Sequence, residues 1–384
     1  MDWQPHAARL ASETTHPVSR WRPIVASLPR HVFVPRWWTW SAPGDGFGSE
    51  VWDLNDGRAD EQGWLKAAYA DRSLVTQVGP LHADHAEPGQ RPSGMPTSSA
   101  TLPRLVAQMF RHAHIDDGAE VLDVGTGSGY GCAMLACRLG DIRVTSVDVD
   151  PYLTTAAAER LDEIGLHPKV VTCDATGPLP GTYDRIVATV SVRPIPASWL
   201  AALRPGGRLV TTISDTALII TADRTDDGGA DGKVEWDRAG FMHTRTGADY
   251  PPRLVPELAN VHEAEGDVSH GRYPVVNVVE AWELWSMLGV VAPGIQHHYQ
   301  QDSDGGRTAW MIHPDGSWAR ASSPDGESPT VHQGGPRRLW DVLDDLRHTW
   351  LRDGSLPVYG ARVRITPDGA IHLRRGRWQA TLSA

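Results

Sequence analysis

Cysteine is scarce: Cys132, Cys137 and Cys173 are the only three in 384 residues, and none forms a CxxC pair. That excludes a disulfide framework and a thiolate zinc site, and it fits a reducing, cytoplasmic setting. Lysine is nearly absent as well; Lys66, Lys169 and Lys233 are the only lysines among 36 basic residues. Acidic residues number 47, for a formal net charge of −11. A general nucleic-acid binder needs a basic face, so the balance argues against that class. No apolar run approaches the roughly 18 to 20 residues that cross a bilayer, so no membrane association is expected. The start of the chain lacks a basic stretch followed by an apolar one, and no secretion signal is expected. Tryptophan, in contrast, is abundant at 16 residues. Exposed indoles would make anchors for a peptide partner.

The length allows one large domain or two ordinary ones. Residues 1–36 read as helical with a proline-marked exit, and 16–34 carry apolar positions at helical spacing. Residues 37–63 are rich in Trp, Gly and Asp without a period and read as an irregular insertion. Residues 68–78 read as a short strand-like return, and 79–97, dense in Gly and Pro, as a second loop. From Ser98 the pattern turns regular. A helix is predicted over 101–113, with an apolar stripe of Leu102, Leu105, Val106 and Met109. Predicted strands around 120–125, 143–149, 169–175, 184–190 and 204–213 alternate with helices around 130–139, 151–164 and 196–203. Such alternation implies a parallel sheet covered on both faces. Residues 217–224 and 233–241 read as an antiparallel pair. Beyond about residue 251 the rhythm changes: 273–291 are mixed apolar, 301–335 turn-rich and polar. An amphipathic helix is predicted over 337–351 and a hairpin over 362–381. The expected division is a helical and loop region over 1–97, a core over 98–249 and a C-terminal extension over 250–384.

The stretch from Val121 to Gly131, VLDVGTGSGYG, carries the chemistry. It follows a predicted strand and opens a predicted helix, the context that gives a glycine pattern meaning. Gly125, Gly127 and Gly129 allow a close backbone approach to a ligand, with Thr126 and Ser128 between them. Asp123 ends the strand and can accept hydrogen bonds from an amino group or hydroxyl. Asp148 ends the second strand, where an acid takes ribose hydroxyls. Asp174 ends the third, followed by Ala175, and is placed to meet an adenine amino group. Any one of these acids would serve equally as a helix cap; three in register with a glycine loop line one crevice. A dinucleotide site would show GxGxxG and welcome a pyrophosphate. A carboxylate two residues before Gly125 suits a cationic, amino-bearing ligand better, which favours S-adenosylmethionine. The expected fold class is therefore α/β: a doubly wound, Rossmann-like methyltransferase core with an N-terminal helical element and an α+β C-terminal extension.

The chain resembles the protein-L-isoaspartate O-methyltransferases. The resemblance rests on PRHVFVP at 29–35, AYADRSL at 68–74, TSSATLPRLVAQM at 97–109, the glycine stretch, YDRIVATVSVRPIP at 183–196 and LRPGGRLV at 203–210. These pieces occur in the family's order, over roughly residues 16–246. The resemblance implies transfer of a methyl group to a carboxylate, oriented by a small hydroxyl-bearing loop before the first core helix. Here that loop is Ser98, Ser99, Ala100 and Thr101. Helix phasing puts Thr101 at the family's hydroxyl position, with Ser98 and Ser99 close alternatives; the same hydroxyls would also suit plain helix capping. Little further machinery is required, because a carboxylate is already ionised at neutral pH. The enzyme must align oxygen, carbon and sulfur and exclude water. His82 and His85 stand beside this loop as candidate acceptor contacts or lid residues, or as polar residues serving only their own loop; no further ligands complete a metal site with them.

Three features exceed a plain repair enzyme: the Trp-rich insertion, the second insertion and the region beyond 250. Added surface suggests one dedicated substrate. The layout resembles homologues encoded with ribosomally made, modified peptides; residues 72–86 and 96–103 look most like the branch accompanying ATP-grasp peptide ligases (graspetides), with a related branch accompanying lanthipeptides. That resemblance implies a ribosomal precursor peptide as partner, methylated on an aspartate after macrocyclisation, the ester then closing to an aspartimide. Residues 337–384 hold nine arginines and five aspartates, a net of +4. Arg362, Arg364, Arg374, Arg375 and Arg377 on the predicted hairpin could face an acidic peptide or simply solvent. The alternatives are general isoaspartyl repair and a non-catalytic peptide-binding module.

Overall fold

A computed structural model describes residues 1–41, 51–250, 260–262, 264–324 and 327–383. Its centre is a ten-stranded mixed sheet. The N-terminal part precedes it: helices α1 (Gln4–Thr14) and α2 (Arg22–Ser27), strands β1 (Arg36–Ser41) and β2 (Val51–Asp56), helix α3 (Glu61–Ala68), and strands β3 (Leu74–Val78), β4 (Leu81–His82) and β5 (Pro96–Ala100). The expected apolar helix through 16–34 is broken into α2 and a single 3-10 turn at Arg30–Phe33. Pro17, Pro23 and Pro29 interrupt the backbone ladder there, so apolar spacing alone overstated its length. The Trp-rich segment is not irregular. Trp37, Trp38 and Trp40 pair across β1 and β2 with Asn55, Leu54 and Trp52. Trp38 and Trp52 bury against Val78, Ala83 and Ala86. Residues 42–50 of that segment lie outside the described residues. The second loop is likewise partly ordered by β4 and β5, both paired to β3.

Helix α4 (Pro103–His112) leads into strands β6 (Val121–Val124), β7 (Val144–Asp148), β8 (Lys169–Thr172), β9 (Tyr183–Val192) and β10 (Leu203–Ile213), joined by α5 (Tyr130–Leu139), α6 (Pro151–Glu163) and α7 (Ala197–Ala202). These five strands lie in the order β10-β9-β6-β7-β8 and are parallel. Antiparallel strands β11 (Leu218–Arg224) and β12 (Ala230–Arg238) continue the sheet beyond β10, as expected for 217–241. Both faces are buried, and adjacent residues feed opposite cores. Val121, Val187, Val210 and Ile219 pack with α1, α2, α4 and α5. Leu122, Ile186, Leu209 and Ile220 pack with Trp199 of α7 and with residues 358–373. Continuous β-branched runs in these strands follow from that two-sided burial.

The polar 301–335 stretch forms strands, which turn-rich composition had concealed. Strands β13 (Asp267–His270), β14 (Gln296–Gln301), β15 (Arg307–Ile312), β16 (Trp318–Ser323) and β17 (Thr330–Gly334) make a separate antiparallel sheet. It packs on the helices Trp282–Val291 and Leu339–Arg352 through Leu288, Met311, Ala319, Val331 and Trp340. The last strands, β18 (Arg362–Ile365), β19 (Ile371–Arg375) and β20 (Trp378–Leu382), return to the central sheet, where β18 pairs with β12. Of the five hairpin arginines, Arg364 is paired with Asp227 and Asp231. Arg375 is spent on the Pro357 and Gly360 carbonyls. Among the described residues no helix is long and apolar enough to cross a membrane.

One side chain knits the N-terminal part to the core. Arg30, fully buried, donates to the carbonyls of Ala68, Ala70, Arg72, Ala100 and Thr101 and lies over the Tyr130 ring. Replacing it by methionine removes a donor from each of those carbonyls, at about 1–3 kcal/mol for each one left without a partner and out of reach of water. Arg30→Met is expected to lower unfolding free energy in urea by roughly 3 kcal/mol or more. A loss under about 1 kcal/mol would show that the guanidinium is not the tie described.

Candidate active site

A cleft of about 320 Å³ opens at the carboxyl ends of β6, β7 and β9. This is where ligands bind in open α/β sheets. Its floor is the glycine turn between β6 and α5. Gly125 and Gly127 have φ of +95° and +50°. A Cβ on Gly125 would lie 2.9 Å from Val190 Cγ1 and 3.1 Å from Thr189 Oγ1. Only glycine lets the backbone pass so near β9. Thr126, Ser128 and Gly127 line the same floor.

Asp123 ends β6 with 2% of its surface exposed. Ser146 donates to it at 2.7 Å, and Ser146 in turn bonds the Thr126 hydroxyl at 2.6 Å. No cation among the described residues pairs with it. Burial, reinforced by the neighbouring Asp148 charge and only partly offset by Ser146, pushes its carboxyl up to about 7. Asp148, at the end of β7, accepts from Gly127 N–H at 2.9 Å and Asp150 N–H at 3.2 Å. Burial raises it too, against those two bonds. Two buried, raised acids side by side on one cleft floor favour a positively charged or hydroxyl-bearing ligand. Asp174 is not among the lining residues, although Cys173 and Ala175 on either side of it are. Its carboxylate folds back onto the N–H and hydroxyl of Thr176.

The hydroxyl segment faces this floor as a strand. Residues 98–100 belong to β5, and the structure corrects the expected loop. Small hydroxyl residues between Pro96 and Pro103 carry little strand signal, and only the partner β3 reveals it. The β3–β5 register slips between Val75 and Gln77. Thr76, at that bulge, donates to Ser98 Oγ at 3.1 Å. Bulges re-aim side chains beside sites. Ser98, Ser99 and Thr101 all line the cleft. A Cβ on Gly127 would lie 3.4 Å from the Ser99 carbonyl and 3.8 Å from Ser98 Oγ. None of the three hydroxyls caps α4. That helix starts after Leu102, whose N–H goes to Ser73 Oγ at 3.1 Å.

His82 and His85 sit elsewhere, outside the cleft lining. Both rings pack on Tyr152, with centroids 4.8 and 4.0 Å away. His82 is buried, and desolvation pulls it down to about 4. Its Nδ1 accepts from Asp84 N–H, while Asp84 takes the Tyr152 hydroxyl and Arg160. The pair pins β4 to α6. The cleft is also lined by the segment after β12, where Phe241 and Met242 are followed by two residues that no motif announced, His243 and Arg245. Met242 and Thr244 bond the Ser191 backbone, and His243 bridges to Ser191. Arg245 lies 3.9 Å from Asp150 and above the Tyr250 ring.

With this geometry in hand, comparison with known proteins is informative. The profile of the protein-L-isoaspartate(D-aspartate) O-methyltransferase family matches residues 66–238. A protein-L-isoaspartate O-methyltransferase of Anaeromyxobacter dehalogenans is 36% identical over 172 residues, which is 44% of this chain and 72% of that protein. One from Brucella anthropi is 31% identical over 175 residues, 44% of this chain and 71% of its own. The chain belongs to the protein-L-isoaspartate O-methyltransferase family. A solved protein-L-isoaspartate O-methyltransferase aligns over 99% of both chains at 16% identity and a TM-score of 0.48. As a member of this family the chain is a carboxyl O-methyltransferase, and its cofactor is S-adenosylmethionine. The residues present fit that cofactor. Asp123 offers a buried carboxylate to a cationic ligand, and the glycine turn offers a backbone stripped of side chains. The matched segment holds the glycine turn and the β5 hydroxyls but stops before His243 and Arg245.

Asp123 makes the cofactor-free protein sensitive to pH. Below about pH 4 its carboxyl is protonated in both folded and unfolded chains. Between that and about 7 only the folded chain holds the proton, so stability is lost as pH rises through about 7. Asp148 shifts in the same direction. Asp123→Asn is expected to flatten the decline in melting temperature between pH 5 and 8 without cofactor. An unchanged decline in the variant would place the titration elsewhere.

Proposed function

We propose that this chain methylates the side-chain carboxylate of an aspartyl residue in a macrocyclised ribosomal peptide, and that the ester then closes to an aspartimide. The observation that carries the reading is the apposition of the β5 hydroxyls to the glycine turn, within a chain much larger than its family segment. Residues before 66 and beyond 238 build the Trp hairpin, the second antiparallel sheet and the strands that extend the core. A repair enzyme that accepts many damaged proteins gains little from such surface.

In this reading the bound S-adenosylmethionine supplies the electrophilic methyl group. The chain's residues do the rest. Asp123 and the backbone of Gly125, Thr126, Gly127, Ser128 and Gly129 hold the amino-acid end. Asp148 takes the ribose hydroxyls, and Asp174 with Ala175 borders the adenine. Ser98, Ser99 and Thr101 orient the acceptor oxygen, with Thr101 at the position the family resemblance favours. The acceptor needs no base, so alignment and exclusion of water account for catalysis. His82 and His85 contribute by holding the neighbouring strand. We read the parallel half of the sheet as doubly wound, and residues 1–97, 98–249 and 250–384 as accessory region, core and substrate-recognition extension. The partner would be a precursor peptide of the graspetide or lanthipeptide kind, met in the cytoplasm.

General isoaspartyl repair is the second reading, and family membership favours it equally. Mass spectrometry separates the two. A cyclised aspartyl precursor should gain about 14 Da and then show a net loss of about 18 Da as ester becomes imide. Methylation of isoaspartyl peptides alone would establish repair instead. Asp148→Ala is expected to weaken S-adenosylmethionine binding at least tenfold in calorimetry while melting cooperatively; unchanged affinity would remove the ribose role.

A further inference from the structure

The second step of that reading, ring closure, needs something that methyl transfer does not: a base. A backbone amide attacks the ester only as its N–H proton leaves. Among the described residues that line the cleft, one is an imidazole. It is His243, which lines the cleft together with the β5 hydroxyls and is half exposed. It sits beside Ser191 near the carboxyl end of β9, one residue past the Val190 that crowds Gly125. Its Nε2 lies 3.3 Å from Asp215 Oδ1. In the tautomer that keeps its proton on Nε2, toward Asp215, the lone pair is on Nδ1. Among the described residues nothing bonds that nitrogen.

Asp215 is built to stay charged. Burial alone would raise it, but the neighbouring His243 ring, the Gly294 N–H at 3.2 Å and the Arg193 guanidinium together hold it below the ordinary carboxylate range. Its backbone, at φ +62°, is clamped as well. A Cβ on Gly289 would lie 2.0 Å from the Asp215 carbonyl oxygen, so only glycine allows the Trp282–Val291 helix this close. Ser286 of that helix receives the N–H of Ala217. Both Gly289 and Gly294 belong to the part of the chain beyond the family segment. A base held by an oriented carboxylate is the arrangement general-base catalysis requires.

We infer that His243 and Asp215 form a base dyad that catalyses closure of the methyl ester to the cyclic imide in the same cleft. This rests on the proposed ester-forming reaction, and it applies to aspartyl and isoaspartyl esters alike. His243 Nδ1 takes the proton from the amide nitrogen of the following residue. That nitrogen forms a C–N bond to the ester carbonyl carbon. The carbon–methoxy bond breaks, and the proton returns from His243 to the departing oxygen. The products are the five-membered imide and methanol, with no other reactant consumed.

The test starts from esters made chemically, which removes methyl transfer from the measurement. Synthetic peptides carrying an aspartyl–glycine or isoaspartyl–glycine methyl ester are incubated with the full-length protein and S-adenosylhomocysteine, and imide formation is followed by mass spectrometry. The wild type should speed closure of at least one ester by about a hundredfold over buffer. His243→Gln and Asp215→Asn should each lose at least nine-tenths of that acceleration while melting cooperatively. No acceleration by the wild type at saturating protein overturns the dyad, as does a His243→Gln variant that matches it. A parallel assay of S-adenosylhomocysteine release from the unesterified peptides keeps the two ideas apart. Methyl transfer without assisted closure defeats only the dyad; no methyl transfer to any carboxyl peptide defeats the underlying reading.

Discussion

A buried guanidinium decides where the cleft-lining hydroxyls of β5 stand. Arg30 reaches carbonyls in two separate stretches, the turn after α3 and the end of β5. Burial drags it down to about 10, yet it remains a cation at neutral pH. A charge in a dry interior is tolerated only when its donors are used, and the carbonyls that use them become fixed in return. Ala100 and Thr101 are fixed this way, directly beside Ser98 and Ser99. The Tyr130 ring beneath the guanidinium opens α5, so the same contact relates β5 to the glycine turn. Without this tie the strand bearing the hydroxyls would hang from its pairing to β3 alone.

The cleft so formed is electrostatically unfinished. Burial raises both Asp123 and Asp148, and the Asp148 charge adds to it at Asp123 as the Asp150 charge does at Asp148. A sulfonium-bearing ligand relieves that strain; a second anion worsens it. Carboxylate acceptors must nevertheless enter. The wall after β12 brings the compensating groups, Arg245 near Asp150 and His243 on Asp215. Both acids and these basic groups line one cleft.

The floor was legible in the sequence, and the wall was not. The alternation of buried strands with helices, the positive-φ glycines and the strand-ending acids Asp123 and Asp148 are local features, each readable within a dozen residues. The β5 hydroxyls were legible by position but not by conformation, since strand formation there depends on β3 and on a bulge at Thr76. Trp37, Trp38 and Trp40 break strict alternation, so their pairing with 52–55 left no period to read. His243 and Asp215 are 28 positions apart. Their meeting depends on the Ser191 bridge and on two glycines some 75 residues downstream. Such a contact belongs to tertiary structure alone, and neither spacing nor composition encodes it. Asp174, equally legible as a strand-end acid, bonds Thr176 of its own turn between the cleft-lining Cys173 and Ala175.

The region beyond the family segment is woven into the catalytic half rather than attached at its margin. Strands β18, β19 and β20 continue the sheet past β12, and Val363, Ile365, Leu373 and Leu382 share one core with Leu122, Ile186 and Leu209 of the cofactor strands. The Trp282–Val291 helix contributes Met287 and Val290 to that core while Leu288 faces the second sheet. Arg193, at the end of β9, closes the circuit by donating to the Gly289 and Val290 carbonyls at 2.7 and 2.6 Å. The Trp282–Val291 helix thus belongs to two cores at once while its Gly289 rests against the Asp215 carbonyl. Packed interiors transmit displacement because they have no slack to absorb it, so a displacement of the second sheet is passed through this helix to the segment that carries Asp215.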